Sequence, residues 1–516
     1  MTDAMVAEHS SRPRDRLPVP GPGSAWRGWA GPLLVTAFGG FLRFDRLSVP
    51  HGVVFDETYY VPDAYGILRH GVEINHVSNA NALLARGSTQ ILMGTQGEYV
   101  AHPPLGKAMI AVGEWLFGLT PFGWRFAAAV VGTLAILMTA RIARRMTGST
   151  VAGCVAGLLL ALDGLEFVLS RTAILDIFLM FWILAAFGLI VIDRDRTRQR
   201  LAETMTSAGL AGASRVRLGF RWPLLLAGVC LGCACATKWD GVWYLPAFAA
   251  LVVAWDVGAR PARPDRPFWS RITAVARSDG PWLPVWFGLA PVAAYVASWT
   301  GWFATSYGYD RSGAALNGGH PTATIVAWLQ YQKSILGFGL GLHVFHVYES
   351  NPLGWLILAR PISFYSTCLP VHGCGAAGST EQEVLAIGTP LIWWAATAAV
   401  AVCLVWWAWR RDWRAAGVLV GVAAGWLPWI WFYLHDHRTE FYYYAVVFDP
   451  FLVIAVALCL NVLARPDWLG RRIGAVLGGG YLLAVLANFI YLYPVLAAQA
   501  IPYHSWLNRI WFHSWL

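Results

Sequence analysis

Charge is scarce in this sequence. Only 13% of its 516 residues are Asp, Glu, Lys or Arg, against 57% hydrophobic. That balance excludes a chain of several ordinary soluble domains and points to many membrane spans. Lysine is rarer still, confined to Lys107, Lys238 and Lys333. No internal repeat is visible, which speaks against a transporter built from repeated halves. The eight cysteines lack zinc spacing. Cys230, Cys233 and Cys235 lie in an apolar run and read as small packing residues, whereas Cys368 and Cys374 share one long loop. A local disulfide is expected between them if that loop faces an oxidising compartment. The N-terminus lacks the pattern of a signal peptide, because a long polar, Arg-bearing stretch precedes the first apolar run. That first run is expected to remain as an anchor.

What is present is a series of long apolar runs. Segments 28–44, 124–143, 150–166, 173–192, 222–237, 240–256, 281–303, 388–409, 415–433, 445–463 and 473–491 can each cross the hydrocarbon core as helices. The expected fold is therefore all-α and integral to the membrane, with about eleven transmembrane helices. The 29 Trp residues suit the membrane interface. The net charge of +9 does not imply nucleic acid, because its arginines cluster in short loops between spans rather than in a basic patch with stacking aromatics. With the N-terminus inside, most of these arginines fall on the cytoplasmic side. The division is then a cytoplasmic tail 1–27 and a transmembrane module 28–303 that includes a first external loop 45–123. A large external loop 304–387, C-terminal transmembrane helices 388–491 and an external tail 492–516 follow. Within the first loop, 105–119 is apolar but short, and reads as an interfacial helix.

The chemistry-bearing residues collect outside. Asp56 and Glu57 stand side by side at the start of the first external loop, which His102-Pro103-Pro104-Leu105-Gly106-Lys107 closes. Adjacent residues point in different directions, so one acid is expected to face a reaction and the other to support the loop. The cations left outside oppose the topological bias. Lys107, Lys238, Arg125 and Arg171 are candidates for holding a lipid phosphate by charge-assisted hydrogen bonds, and snorkelling or pairing with a nearby acid is the competing account. Asp163, Glu166 and Asp176 flank the outer ends of two spans as electrostatic support. His343 and His346 are spaced for one face of a helical turn. A third metal ligand is lacking, so a substrate-contacting or structural role is preferred and no metal site is assigned. His435-Asp436-His437-Arg438 could face the same cavity.

Five motifs occur in order: Phe55-Asp56-Glu57-Thr58-Tyr59-Tyr60, the His102–Lys107 stretch, Phe122-Gly123-Trp124-Arg125-Phe126, Ser170-Arg171-Thr172-Ala173-Ile174-Leu175-Asp176, and Ala236-Thr237-Lys238-Trp239-Asp240-Gly241. Together with the aromatic segment 441–451 they make the chain resemble the protein O-mannosyltransferases, membrane glycosyltransferases of the GT-C fold, in their bacterial form. The large soluble insert of the eukaryotic relatives does not fit in 304–387. The resemblance implies transfer of mannose from polyprenyl-phosphate-mannose to Ser or Thr hydroxyls of exported proteins, at the extracytoplasmic face of the cell membrane. It implies Asp56 as base, Glu57 as its partner toward the acceptor peptide, and Arg125 and Lys238, with Arg171, at the donor phosphate. His102, Lys107, Asp176, His343, His346 and Arg438 are supporting or substrate positions. The expected partners are the lipid-linked donor, the acceptor polypeptides, membrane lipids and the export machinery. No cofactor beyond the donor is implied, and dependence on a divalent metal stays open. A hydroxyl nucleophile needs a base, and a phosphate leaving group needs charge stabilisation and no general acid. The rival reading is a transferase of the same fold acting on a lipid or polysaccharide acceptor.

Overall fold

A computed structural model describes residues 27–516 apart from 217, 261–266, 312–320, 370–373, 377 and 465–470. The cytoplasmic tail expected for 1–27 therefore lies almost wholly outside the described residues. Every one of the eleven apolar segments is helical at least in part. Seven helices among the described residues have the length and hydropathy to cross a membrane: Pro121–Thr147, Leu175–Ser207, Trp239–Ala259, Pro390–Arg410, Trp413–His435, Tyr442–Leu463 and Arg472–Leu496. Thr150–Ala161, Trp222–Thr237 and Val285–Ser298 are apolar but shorter, and Arg27–Phe44 is a helix of 18 residues.

Small residues allow these helices to approach closely, as they must where lipid offers no hydrophobic drive for helix association. Gly228 and Gly232 face Trp286 and Pro291 so tightly that a Cβ at either would overlap a backbone oxygen. The centre is lined by residues 175–191 of the helix Leu175–Arg215, which are mostly buried, and by 442–458, whose side chains are all buried. The helix Leu175–Arg215 runs on past its apolar part into an arginine-bearing stretch. Caps mark several helix starts. Thr120 accepts from Gly123 N–H, Ser149 from Ala152 N–H, and Asp163 from Leu165 and Glu166 N–H, satisfying donors a helix start leaves open.

The segments expected outside the membrane are not purely helical. Residues 105–117 form the expected short helix (Leu105–Phe117). Five short strands are also present: β1 (Ile74–His76) pairs antiparallel with β2 (Leu92–Gly97), and β3 (Ile362–Leu369), β4 (Thr380–Ala386) and β5 (Ile501–Pro502) form a second antiparallel sheet in that order. The fold is mostly helical, as expected, with two small antiparallel sheets added among the described residues. Ile362-Ser-Phe-Tyr-Ser-Thr-Cys-Leu369 alternates in burial over its first four residues, and half of its residues are β-branched or aromatic, as strands favour. Cys368 and Cys374 are disulfide-bonded, with Cα atoms 5.8 Å apart, while Cys230, Cys233 and Cys235 are free.

Candidate active site

Phe55 takes φ +46°, a left-handed conformation that a bulky residue adopts only when its surroundings enforce it. Those surroundings are aromatic. Its ring stacks on Phe364 of β3 at 4.6 Å and meets Tyr443 edge-on at 5.6 Å. The next residue, Asp56, precedes the helix Glu57–His70 without capping it. The two acids go to separate partners.

Glu57 is fully buried. Arg125 grips it twice, Nε to Oε1 and Nη2 to Oε2, both at 2.8 Å. Val54 N–H and Ala173 N–H donate to the same carboxylate at 2.9 Å. The rest of the Arg125 guanidinium donates to the carbonyls of Leu47, Pro50 and Gly52. Arg171 donates in the same way to Leu42, Arg43, Asp45 and Arg46. A bidentate, fully hydrogen-bonded pair of this kind is a fixed structural joint. This revises three expectations. Glu57 has no free oxygen to offer an acceptor peptide, and Arg125 and Arg171 spend their donors on the loop 42–57 rather than presenting them to a phosphate.

Asp56 is half-buried and faces a different set. Tyr443 Oη donates to its Oδ2 at 3.3 Å, and the Tyr60 hydroxyl also favours the charged carboxylate. Burial pushes its carboxyl up to about 6, Lys238 works against that shift, and Asp176 adds to it. Lys238 lies between acids. Its Nζ donates to Asp176 Oδ1 at 3.0 Å, stands 3.4 Å from Asp240 Oδ2, and sits 3.9 Å over the Tyr444 ring. Burial alone would lower its pKa, but Asp176 and Asp240 outweigh burial, so the net shift is upward and the ammonium persists. The helix ends at Thr237, and the extended backbone at Lys238 (φ −154°) turns the side chain toward this cluster.

Two further predicted residues border the pocket. His102 stands beside Tyr60, ring centroids 6.2 Å apart. Burial, then the charges of Lys238, Lys107 and Arg438, drive its pKa well down, so its imidazole is neutral. Arg438 lies over Trp429 at 5.2 Å and donates through Nε to Gly339 O at 2.7 Å. Lys107 has a different job. Its ammonium pairs with Glu73 at 2.6 Å and Asp63 at 3.6 Å and donates to His102 O at 3.0 Å. It ties the His-Pro-Pro loop to the helix Glu57–His70. Burial pushes Asp63 up to about 7 even with Lys107 beside it.

His343 and His346 do not share a helix face: the helix Pro321–Leu340 ends before them and 341–346 is irregular. His343 is exposed, 4.0 Å from Asp436. His346 packs against Phe441, ring centroids 5.0 Å apart, at the rim of the aromatic cluster around Phe55. Asp176 pairs with Lys238 rather than Arg171. Arg43 pairs with Glu166, and Asp163 accepts from Trp393 Nε1 at 2.8 Å. Among the described residues no group of three His, Cys, Asp or Glu is arranged to hold a metal ion. Tyr60, Asp63, Glu73, Asp240, Tyr443 and Tyr444 were missed as individual site residues. Asp240 follows Lys238 by two, Tyr60 closes the Phe55–Tyr60 motif, and Tyr443 and Tyr444 belong to the run Phe441–Tyr444, so these stood in view.

Comparison with known proteins gives the same picture. The family model for dolichyl-phosphate-mannose-protein mannosyltransferase matches residues 89–258, and the model for the C-terminal four-transmembrane region of protein-O-mannosyltransferase matches 324–515. A polyprenol-phosphate-mannose–protein mannosyltransferase of Mycobacterium tuberculosis is 37% identical, over 96% of this chain and 93% of its own length. One from Corynebacterium glutamicum is 33% identical over 93% and 91%. The Saccharomyces cerevisiae Pmt1–Pmt2 complex bound to its sugar donor shares the fold, with TM-score 0.72 at 13% identity over 97% of this chain and 94% of that one. A multi-pass membrane chain of GT-C fold, with 33 to 37% identity to these relatives over nearly its whole length, belongs to the protein mannosyltransferase family of glycosyltransferases.

Proposed function

We propose that this chain transfers mannose from polyprenyl-phosphate-mannose to Ser or Thr hydroxyls of polypeptides at the extracytoplasmic face of the cell membrane. The observation that carries this reading is the side-chain cluster around Asp56. It holds one carboxylate whose pKa is raised to about 6 within the field of a buried ammonium that two other acids keep charged. A base poised near the working pH combines a high deprotonated fraction with useful basicity. Asp56 takes the proton of the acceptor hydroxyl as its oxygen bonds to C1 of the mannose. The bond from C1 to the phosphate oxygen breaks in the same displacement, and configuration at C1 inverts. Lys238 and Arg438 stabilise the charge left on the lipid phosphate. Neutral His102 is suited to hydrogen-bond the phosphate or the sugar without adding charge. The Glu57–Arg125 joint holds the backbone from which Asp56 projects.

The positioning of Lys238 beside the aromatic segment 441–448 suits a lipid-linked donor, because both lie at ends of helices long and apolar enough to span a bilayer. The test is incubation of membranes containing the protein with labelled polyprenyl-phosphate-mannose and a Thr/Pro-rich peptide. Label on the peptide, lost in Asp56→Asn, is the expected result. Label on lipid or polysaccharide instead would select the rival transferase, and full activity of Asp56→Asn would remove the base assignment.

A further inference from the structure

β3 is an edge strand. Its one partner among the described residues is β4, on one side; β5 lies beyond β4. Among the described residues no backbone or side-chain group from an element other than β4 hydrogen-bonds to it; the further bonds are the Ser363 hydroxyl donating to Tyr365 O within the strand and the Ser366 hydroxyl donating to Glu381 of β4. Proteins ordinarily blunt such an edge with a charge, a proline or a covering element. Residues 362–369 contain no charge and no proline, and Pro361 and Pro370 stand just outside both ends. Ile362 and Phe364 are buried anchors, whereas Ser366 and Leu369 are exposed. The disulfide between Cys368 and Cys374 closes the far end of the hairpin.

This open edge is continuous with the reaction site. Phe364 stacks face to face on Phe55 at 4.6 Å, and Phe55 is bonded to Asp56. Phe364 also meets Tyr443, which donates to the Asp56 carboxylate. A chain lying along β3 would pass within a few residues' reach of the base.

We propose that β3 binds the acceptor polypeptide by strand addition, so that an extended segment pairs with its free edge and delivers a Ser or Thr to Asp56. This rests on the reading that the acceptor is a polypeptide. Recognition through main-chain hydrogen bonds reads extension rather than sequence, which fits an enzyme serving many unfolded acceptors. Strand pairing also has a period of two. On an edge, alternate residues of the added strand donate their N–H to β3 and the intervening ones point theirs away.

That period supplies the test. Peptides with one acceptor Thr are N-methylated at one backbone position at a time, and KM and kcat are measured with the full-length protein in membranes. Methylation at every second position should raise KM by roughly threefold to tenfold, the worth of one hydrogen bond, with kcat little changed and the intervening positions near neutral. In parallel, a benzophenone amino acid placed at Ser366 or Leu369 should crosslink to the peptide. The same probe at Trp409, exposed at the end of the helix Pro390–Arg410, should not. Effects that lack alternation, or crosslinks that form equally from Trp409, overturn strand addition while leaving mannosyl transfer to the unmodified peptide intact. Label that goes to lipid in place of the unmodified peptide would instead bring down the polypeptide reading, and this proposal with it.

Discussion

The helix Leu175–Arg215 carries a buried acid–base cluster near each end of its apolar part. Asp176 belongs to one and Asp193 to the other, about 25 Å apart at the rise of an α-helix. Around Asp193 the charges interlock. Arg221 bonds Asp193 through Nε at 3.0 Å and Asp256 through Nη1 at 2.6 Å, and Asp279 is shared between Arg221 and Arg260. Every acid there has a guanidinium within reach, and planar forks suit such closed networks. Around Asp176 the count is uneven. Lys238 is an ammonium serving Asp176 and Asp240 directly, and Asp56 receives only its field and two tyrosine hydroxyls. A cluster built to hold helices together satisfies its acids. A cluster built to take a proton leaves one acid without a fixed cationic partner.

The widest separation between the two should come from Asp56→Asn. It removes the base and should lower transfer by about 10²–10⁴-fold, with thermal stability in detergent unchanged or raised. A loss of stability in place of activity would move Asp56 into the structural class. The converse is Arg221→Ala, which strands buried carboxylates and should cost about 3–5 kcal/mol, read as a fall in melting temperature. Activity per folded molecule should survive. Arg125→Ala tests the joint between the classes. It strands buried Glu57 at a similar cost and should also lower kcat, because the loop that carries Asp56 loses its anchor. Rescue of kcat but not KM by Arg125→Lys would contradict a purely positional role.

Much of this contrast could be read before the fold was known, and the part that could not has a physical reason. Apolar runs of span length are local, so the helices were legible. The Asp56-Glu57 pair was legible too, as was the expectation that one acid faces a reaction while the other supports the loop, but not the partner that fixes the second, because Glu57 is completed by Arg125, 68 positions away. The same holds for Lys238 and Asp176, 62 apart. An outlying cation looks equally available for phosphate or for a carboxylate until the partner's position is known. His343 and His346 misled through local spacing. Their i, i+3 separation fits a helix, but Gly337, Gly339 and Gly341 precede them and glycine disfavours helix continuation. The β3–β4 hairpin was overlooked because burial alternates only over the first four residues of β3. A chain dominated by apolar helical stretches hides a short strand whose meaning depends on its neighbour.

Lys238→Met probes how the uneven cluster sets its proton affinity. In the intact protein the ammonium opposes the rise in the Asp56 pKa, which stands at about 6. Only the deprotonated form acts as base, so kcat/KM should fall as pH drops below about 6. Removing the cation takes away a stabiliser of the carboxylate, so the pKa rises further and the acid limb moves to higher pH, by about one unit. The donor KM should rise as well, since the phosphate loses its nearest cation. An acid limb left in place would show that Asp56 does not feel Lys238, and an unchanged donor KM would direct the phosphate to Arg438.

Tyr443→Phe should give the smallest and most diagnostic change. Its hydroxyl donates to Asp56 Oδ2 at 3.3 Å, longer than the usual charge-assisted bond. The ring packs against Phe55, Phe364 and Phe441 whether or not it bears oxygen. The substitution keeps that packing and removes a donor to the charged form of the base. Losing such a donor costs about 0.5–1.5 kcal/mol, here spent on the carboxylate, so the acid limb should move up by about half a unit to one unit. At pH well above the limb the rate should be almost unchanged. The equivalent loss at the closed cluster should show in melting temperature rather than in the pH profile of transfer, because that cluster lies about 25 Å from Asp176 along the helix. A drop in rate at all pH values, with the limb unmoved, would mean that Tyr443 contacts the substrate and that the weak bond to Asp56 is incidental.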